Sequence, residues 1–321
     1  MRSIVHAADR PLVRPYIAAI VQYGDLIPFL SIHVMCVWAF HTGIRPEWVL
    51  LAVASYYVRM FGVTAGYHRY FSHRSYKTSR VFQFLLAFLA MTSAQKGVLW
   101  WAAHHRHHHR YSDQESDVHS PSQRGFWSAH VGWMLTEESA GTEFKRVKDL
   151  SRYPELQFLN RYHYIPPFLY AVLIYALWGF PGLVWGFFIS TTALYHCTFF
   201  INSLTHMVGR TRYKSNDESK NSFVLAMLCC GEGWHNNHHH YQSSVNQGWF
   251  WWEVDLSYYV LSMLSWFGIV WDLRTPPVKI KARTIAVENG FPGTSELSYR
   301  RGWRRRRSAG RAPGRESDRE P

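Results

Sequence analysis

Trp100-Trp101-Ala102-Ala103-His104-His105-Arg106-His107-His108-His109-Arg110-Tyr111-Ser112-Asp113 carries five histidines, and the rest of the chain is read outward from it. A helix advances about 100° per residue, so positions three and four apart share a face. His105, His108 and His109 meet that spacing, and so do His104, His107 and His108; periodicity does not choose between the two triads. The spacing returns at His235, His238 and His239, inside Gly231-Glu232-Gly233-Trp234-His235-Asn236-Asn237-His238-His239-His240. Upstream, His68-Arg69-Tyr70-Phe71-Ser72-His73 sets two histidines five apart. On an ideal helix those rings diverge, so they are expected to serve different metals or to straddle a helix end. Neutral imidazole is the commonest metal ligand and suits Zn, Cu, Fe and Ni. A metal sponge would be repetitive and polar. These clusters are spaced, and they sit among Trp, Gly and apolar runs.

The apolar runs are placed around the clusters. Mean hydropathy is only -0.21, so the apolar residues must be concentrated to make spans. Leu26 to Ile44 is nearly uncharged and about the length a bilayer needs. Trp48 to Tyr67 holds one charge, Arg59, and ends in the first histidine cluster. Gly43 to Glu47 leaves room for little besides a tight turn, so these two runs form a hairpin. Tyr164 to Phe188 is a third apolar run; the block is split near Gly179-Phe180-Pro181-Gly182, so that its first half runs outward and Leu183 to Leu204 returns. Val81 to Thr92 is short for a span and reads as re-entrant or interfacial. Leu256 to Leu273 reads as an amphipathic surface helix.

Lys and Arg are plentiful before Leu26, between Arg69 and Arg161, and after Arg210, and scarce in the two inter-span turns. The expected fold is an all-α, multi-pass integral membrane protein of four transmembrane helices in two hairpins. Interfacial amphipathic helices and a histidine-rich helical cap complete it, with the cap, the site and both termini on the cytoplasmic side. Residues 1–25 make a basic leader, 26–275 the domain, and 276–321 a basic, disordered tail holding nine Arg from Arg300 to Arg319. Met1 to Tyr23 has no continuous apolar stretch beside a cleavage site, so no signal peptide is expected. The formal charge is +13, much of it in that tail, which is read as leaning on anionic membrane lipid. No folded basic surface is evident, and no nucleic-acid partner is expected. Cys36, Cys197, Cys229 and Cys230 contain no C-x-x-C and are read as core residues.

Two helical triads with His68, His73 and His206 exceed what one metal can use, and two metals with four or five ligands each can take them. Without Cys ligands, an iron–sulfur cluster or structural zinc is disfavoured. Open positions on a nitrogen-rich pair suit iron that binds O2. Asn202 is four residues before His206 and would hold a metal-bound water. A metal pair beneath a membrane favours a lipid-like substrate, and attack on an unactivated C–H bond is chemistry a protein delegates to metal and oxygen.

Four ordered motifs now carry a resemblance: His68-Arg69-x-x-Ser72-His73, His105-Arg106-x-His108-His109, Asn202-Ser203-x-x-His206 and Gly231-Glu232-Gly233-Trp234-His235-Asn236-x-His238-His239. With Asp117-x-His119, Arg124-Gly125-Phe126 and His130-x-Gly132-Trp133 between them, residues 25 to 275 resemble a membrane fatty acid desaturase of the stearoyl-CoA / Δ9 acyl family, in its bacterial and cyanobacterial branch. The resemblance implies nine iron ligands for a di-iron centre: His68, His73, His105, His108, His109, His206, His235, His238 and His239. His104, His107, His240, Asp113 and Glu232 would then stand behind the ligands. It also implies O2-dependent insertion of a cis double bond, at Δ9, into an acyl-CoA, acyl-carrier-protein or acyl-lipid chain. No His-Pro-Gly-Gly motif is present, so electrons would come from a separate ferredoxin, rubredoxin or cytochrome b5. The alternatives are a di-iron acyl hydroxylase, distinguished by its product, and a membrane metal transporter. A transporter would want ligands at mid-span, whereas these lie at span ends.

Overall fold

The computed structural model describes residues 14–284. Helix α1 (Arg14–Met35) continues through a tight turn, Cys36–Trp38, to Thr42. It stops at Gly43, whose φ of +74° is left-handed backbone that favours glycine. Pro46 restarts the chain at a helical position where a missing N–H costs nothing. Helix α2 (Pro46–Phe61) then runs without a break into a π-helix, Gly62–Ser72, the wider winding in which each N–H reaches back five residues.

Among the described residues, Pro46–Ser72 and Ile165–His206 are the two helical segments long and apolar enough to cross a membrane. At 42 residues the second is about twice what a bilayer core needs. It is not one rod. Gly179 has non-helical backbone (φ 63°, ψ -160°), and the Tyr170 and Phe187 rings approach to 6.3 Å. A straight helix would separate them by about 25 Å. The block therefore doubles back at Gly179, within the turn expected from sequence.

The returning arm is the centre of the bundle. Trp38 meets Phe180, Cys36 meets Thr192, His33 meets His196 and Phe29 meets Phe199, so α1 packs antiparallel to it. On α2, Ser55 Oγ donates to the Gly186 carbonyl at 2.5 Å and shares a hydrogen bond with Tyr170 Oη at 2.7 Å. Arg59 is fully buried there. Its guanidinium donates to Ser190 Oγ, Thr191 Oγ1 and the Thr92 carbonyl, beneath the Tyr170 ring. A buried charge persists only where its donors are used this completely. The outward faces are apolar: Phe40 is 89%, Leu50 70% and Phe168 67% exposed. Such a belt is unusual on a water-facing surface.

Helix α3 (Arg80–Met91) starts on Ser79, whose hydroxyl accepts from Phe82 N. It crosses the π-helix so closely that a Cβ at Gly62 would lie 2.9 Å from Ala90 N. Helix α4 (Val98–Tyr111) carries the central histidines, and Asn160 Oδ1 accepts from its Leu99 and Trp100 amides. Helices α5 (Ile165–Gly182) and α6 (Ser190–Ser203) are the two arms of the hairpin, and α7 (His235–His240) holds the last cluster.

Helix α8 (Leu256–Trp266) is shorter than the surface helix expected to reach Leu273. Gly268 takes φ +66° and ends the turn, and strand β2 (Val270–Trp271) then pairs antiparallel with β1 (Lys77–Thr78). Helix α1 passes unbroken through residue 25, and Tyr213 Oη donates to the Lys281 carbonyl. The leader before residue 14 and the Arg-rich tail lie outside the described residues.

Candidate metal centre

The two histidines of the first cluster were expected to diverge. They converge instead. His73 N donates to the His68 carbonyl at 3.2 Å, an i+5 bond, and the rings sit 4.8 Å apart. The π winding puts residues five apart on one face, which ordinary α periodicity cannot do.

Around them the chain assembles two groups. The first is His68, His73, His105, His109 and His238; the second is His108, His206, His235 and His239. In the first, His73 Nε2 lies 2.8 Å from His105 Nε2, which is 2.9 Å from His109 Nε2. His109 Nε2 is 2.9 Å from His238 Nε2, and that atom is 3.0 Å from His68 Nε2. In the second, His206 Nε2 is 3.1 Å from His235 Nε2. His104, His107 and His240 turn away, bonding the carbonyls of Trp100, Ser116 and Lys214. The ambiguity between triads on α4 is thereby resolved in geometry: His105, His108 and His109 face inward.

Carboxylates fix which ring nitrogen carries the proton. Asp113 accepts from His206 Nδ1 at 2.7 Å, Asp117 from His108 Nδ1 at 2.9 Å and Asp217 from His239 Nδ1 at 2.6 Å. Glu232 Oε2 lies 2.5 Å from His68 Nδ1. Burial acts to raise the three aspartates, but their histidine partners outweigh it and hold them well below the usual carboxylate range. With Nδ1–H committed outward, each Nε2 presents a lone pair inward.

That arrangement fits metal ions. Lone pairs facing one another about 3 Å apart repel unless a cation lies among them. Ligands at right angles on a metal–nitrogen bond of about 2.1 Å are themselves about 3.0 Å apart. His239 Nε2, buried and without a hydrogen-bond partner, is such an orphaned acceptor. The donor set is all imidazole nitrogen, which suits iron among other metals.

Asp117, Asp217 and His119 were not among the expected site residues. The His119 ring lies tilted against that of His108 at 4.3 Å, and His119, His108 and Asp117 form a third potential metal group. Asp117-x-His119 was visible as a motif. Nothing in the polar segment around Asp217 indicated that it reaches His239. Behind the first group lies a buried ionic chain. Arg69 bonds Glu232 Oε1 at 3.0 Å and Asp255 Oδ1 at 2.9 Å. Asp255 also caps α8 through Tyr258 N.

An apolar cavity of about 380 Å³ reaches this site. Phe29, Tyr195 and Phe199 line its wall, and Trp101, His105 and Asn202 its inner end. A small void of about 30 Å³ shares those last three residues and continues toward Met60 and Cys229. Asn202 and His105 thus both line the cavity and the void. Trp101 stacks on His105 at 4.9 Å.

Burial, then the neighbouring imidazoles, pushes His73, His105, His109, His235 and His238 well below 6.5. The unfolded chain thus binds more protons than the folded one as pH drops below about 6.5, so stability and metal affinity are full above that value and lost beneath it. Metal release and melting temperature, followed from about pH 7 to about pH 5, should fall together; two flat curves would contradict neutral, lone-pair-donating histidines.

A family model described as fatty acid desaturase matches residues 46–262. An sn-1 stearoyl-lipid 9-desaturase of Synechocystis is 37% identical over 217 residues, covering 67% of this chain and 68% of the relative. Another, from Anabaena variabilis, is 35% identical over 79% of this chain and 94% of its own. An acyl-CoA C20 Delta5-desaturase of Anemone leveillei is 33% identical over 81% of this chain and 83% of its own.

Proposed function

The chain belongs to the fatty acid desaturase family, and from that membership we propose that it inserts a cis double bond at the Δ9 position of a saturated fatty acyl chain. Two hydrogens leave the acyl chain. O2 takes up both hydrogens with their two electrons, two more electrons from a separate carrier and two protons from solvent, and becomes two waters. The observation that carries the reading is the meeting of the apolar cavity with the first histidine group at His105, where Asn202 also lines the cavity.

His68, His73, His105, His109 and His238 would hold one iron, and His108, His206, His235 and His239 the other. When bound, the pair supplies O2 activation and hydrogen abstraction, which no side chain here performs. Asp113, Asp117 and Asp217 keep the Nδ1 protons of their histidines pointing outward. Tyr195 and Phe199 hold the acyl chain in a dry wall, and Trp101 fixes the His105 ring by stacking. Asn202 would hold a water between the histidines and the chain. The acyl group would arrive as a CoA, carrier-protein or lipid ester; relatives with acyl-CoA and with acyl-lipid names both occur. Four crossings in two hairpins, with the histidine cap and both termini cytoplasmic, agree with the helix reversals at Gly43 and Gly179 and with the Lys and Arg asymmetry.

The test is expression in an iron-supplied, desaturase-deficient host with a compatible electron carrier, double bonds being located by mass spectrometry. New Δ9 cis-monoenes absent from a His235→Ala control are expected. Bonds at another position would overturn the Δ9 assignment, and hydroxylated chains would overturn the reaction.

A further inference from the structure

A second cleft, of about 630 Å³, reaches the first histidine group separately from the acyl cavity. The two share no lining residue: the acyl cavity touches the group at His105 and this cleft at His73. Its walls are polar and cationic. Arg74, Lys77, Arg80, Arg106 and Arg274 line it, against the single carboxylate of Asp149. Lys77 pairs with Asp272 at 2.8 Å and Arg80 with Glu155 at 2.7 Å, so five cations face three carboxylates even when those partners are counted. Four of the cations stand outward: Arg274 is exposed, and the side chains of Arg74, Lys77 and Arg80 are 45%, 61% and 64% exposed.

The wall is built on ordered backbone. Lys77 faces Trp271 in the two-stranded sheet, and Arg274 N donates to the Ser75 carbonyl at 3.0 Å. Trp271, 45% exposed, stands on the lip. Arginine with an exposed tryptophan is the composition of protein-docking surfaces, and a spread of half-paired surface cations suits another protein's acidic face. A phosphate would instead select converging donors.

We propose that this cleft docks an acidic one-electron carrier protein, with His73 as the point where the metal site meets the docked partner. The proposal rests on the desaturase reading for its need of electrons. Each reduced carrier gives up one electron and leaves oxidised. Two such visits match the two electrons of the reaction, and no bond to the carrier is made or broken.

Binding tests it without reference to product. The full-length, iron-loaded protein in lipid nanodiscs is titrated with an acidic [2Fe–2S] ferredoxin, a rubredoxin and cytochrome b5 at low ionic strength. At least one should bind, and its affinity should weaken with salt. Lys77→Glu combined with Arg274→Glu should raise that Kd about tenfold or more. Lys77→Gln with Arg274→Gln should give a smaller rise, and the exposed control Lys145→Glu should change it less than about twofold. Hydrogen exchange should show the bound carrier protecting residues 74–80. No binding by any of the three carriers, an unchanged Kd in the charge-reversed variant, or an equal loss in the control would overturn the proposal. Protection of the cleft by acyl-CoA instead would also overturn it, by making the cleft a headgroup site. A hydroxylated product would sink the desaturase reading and leave a positive binding result standing.

Discussion

His105→Ala is expected to abolish product formation and to lower bound iron, while His104→Ala, one residue earlier, keeps its iron. The two histidines share a helix and nearly a sequence context, so bulk effects of losing an imidazole on α4 should be alike. Their nitrogens have different destinations. His105 Nε2 sits between His73 Nε2 at 2.8 Å and His109 Nε2 at 2.9 Å, and no other side chain can fill that place. His104 Nδ1 bonds the Trp100 carbonyl, its own helix four residues back. Truncating His104 removes packing against Trp100 and a wall of the acyl cavity, so activity should fall in part with the metal retained. Metal analysis of the two purified variants checks this. Equal metal loss would mean that the inward-facing triad is not the one that binds.

Arg69→Ala is expected to cost more in stability than any other single change near the site. The guanidinium is 1% exposed, and Asp255 and Glu232 around it are 0% and 5% exposed. It donates through Nε to Glu232, which also lies 3.0 Å from Nη2, and through Nη1 to Asp255 and the Val245 carbonyl. Removing it strands two buried carboxylates without their cation, a loss of about 3–5 kcal/mol. Against a total stability of about 5–15 kcal/mol that is a large fraction, and a marked drop in melting temperature is expected. The damage also spreads, since Asp255 caps α8 and Glu232 faces His68. Arg69→Lys keeps the charge but cannot reach both carboxylates and a carbonyl at once, so an intermediate melting temperature is expected. A melting temperature unchanged in Arg69→Ala would show that this chain of charges is not what holds the third cluster against the first.

The central triads were legible because α periodicity is a property of sequence, and the structure turns both onto a common centre. The reversal at Gly179 was legible too, since glycine and proline interrupt an apolar block too long for one crossing. What sequence concealed has physical causes. The convergence of His68 with His73 depends on π winding, which leaves no compositional mark in Gly62–Ser72. Spacing did not choose between His104 and His105, because it does not contain the direction of side chains; only the family resemblance did. Asp217 reaches His239 across a segment without regular structure, and no periodicity predicts such a contact. The strand pair of Lys77–Thr78 with Val270–Trp271 is two residues long and joins distant parts of the chain, so the end of α8 was misplaced.

The mass of the product formed by the purified, iron-loaded protein from a saturated acyl chain, O2 and a reduced carrier tests the central claim most directly. The account predicts a product lighter than the substrate by two hydrogens, formed with one O2 and two carrier electrons consumed and missing in His105→Ala. A product heavier by one oxygen, or carrier and O2 consumption with the acyl chain unchanged, would contradict it.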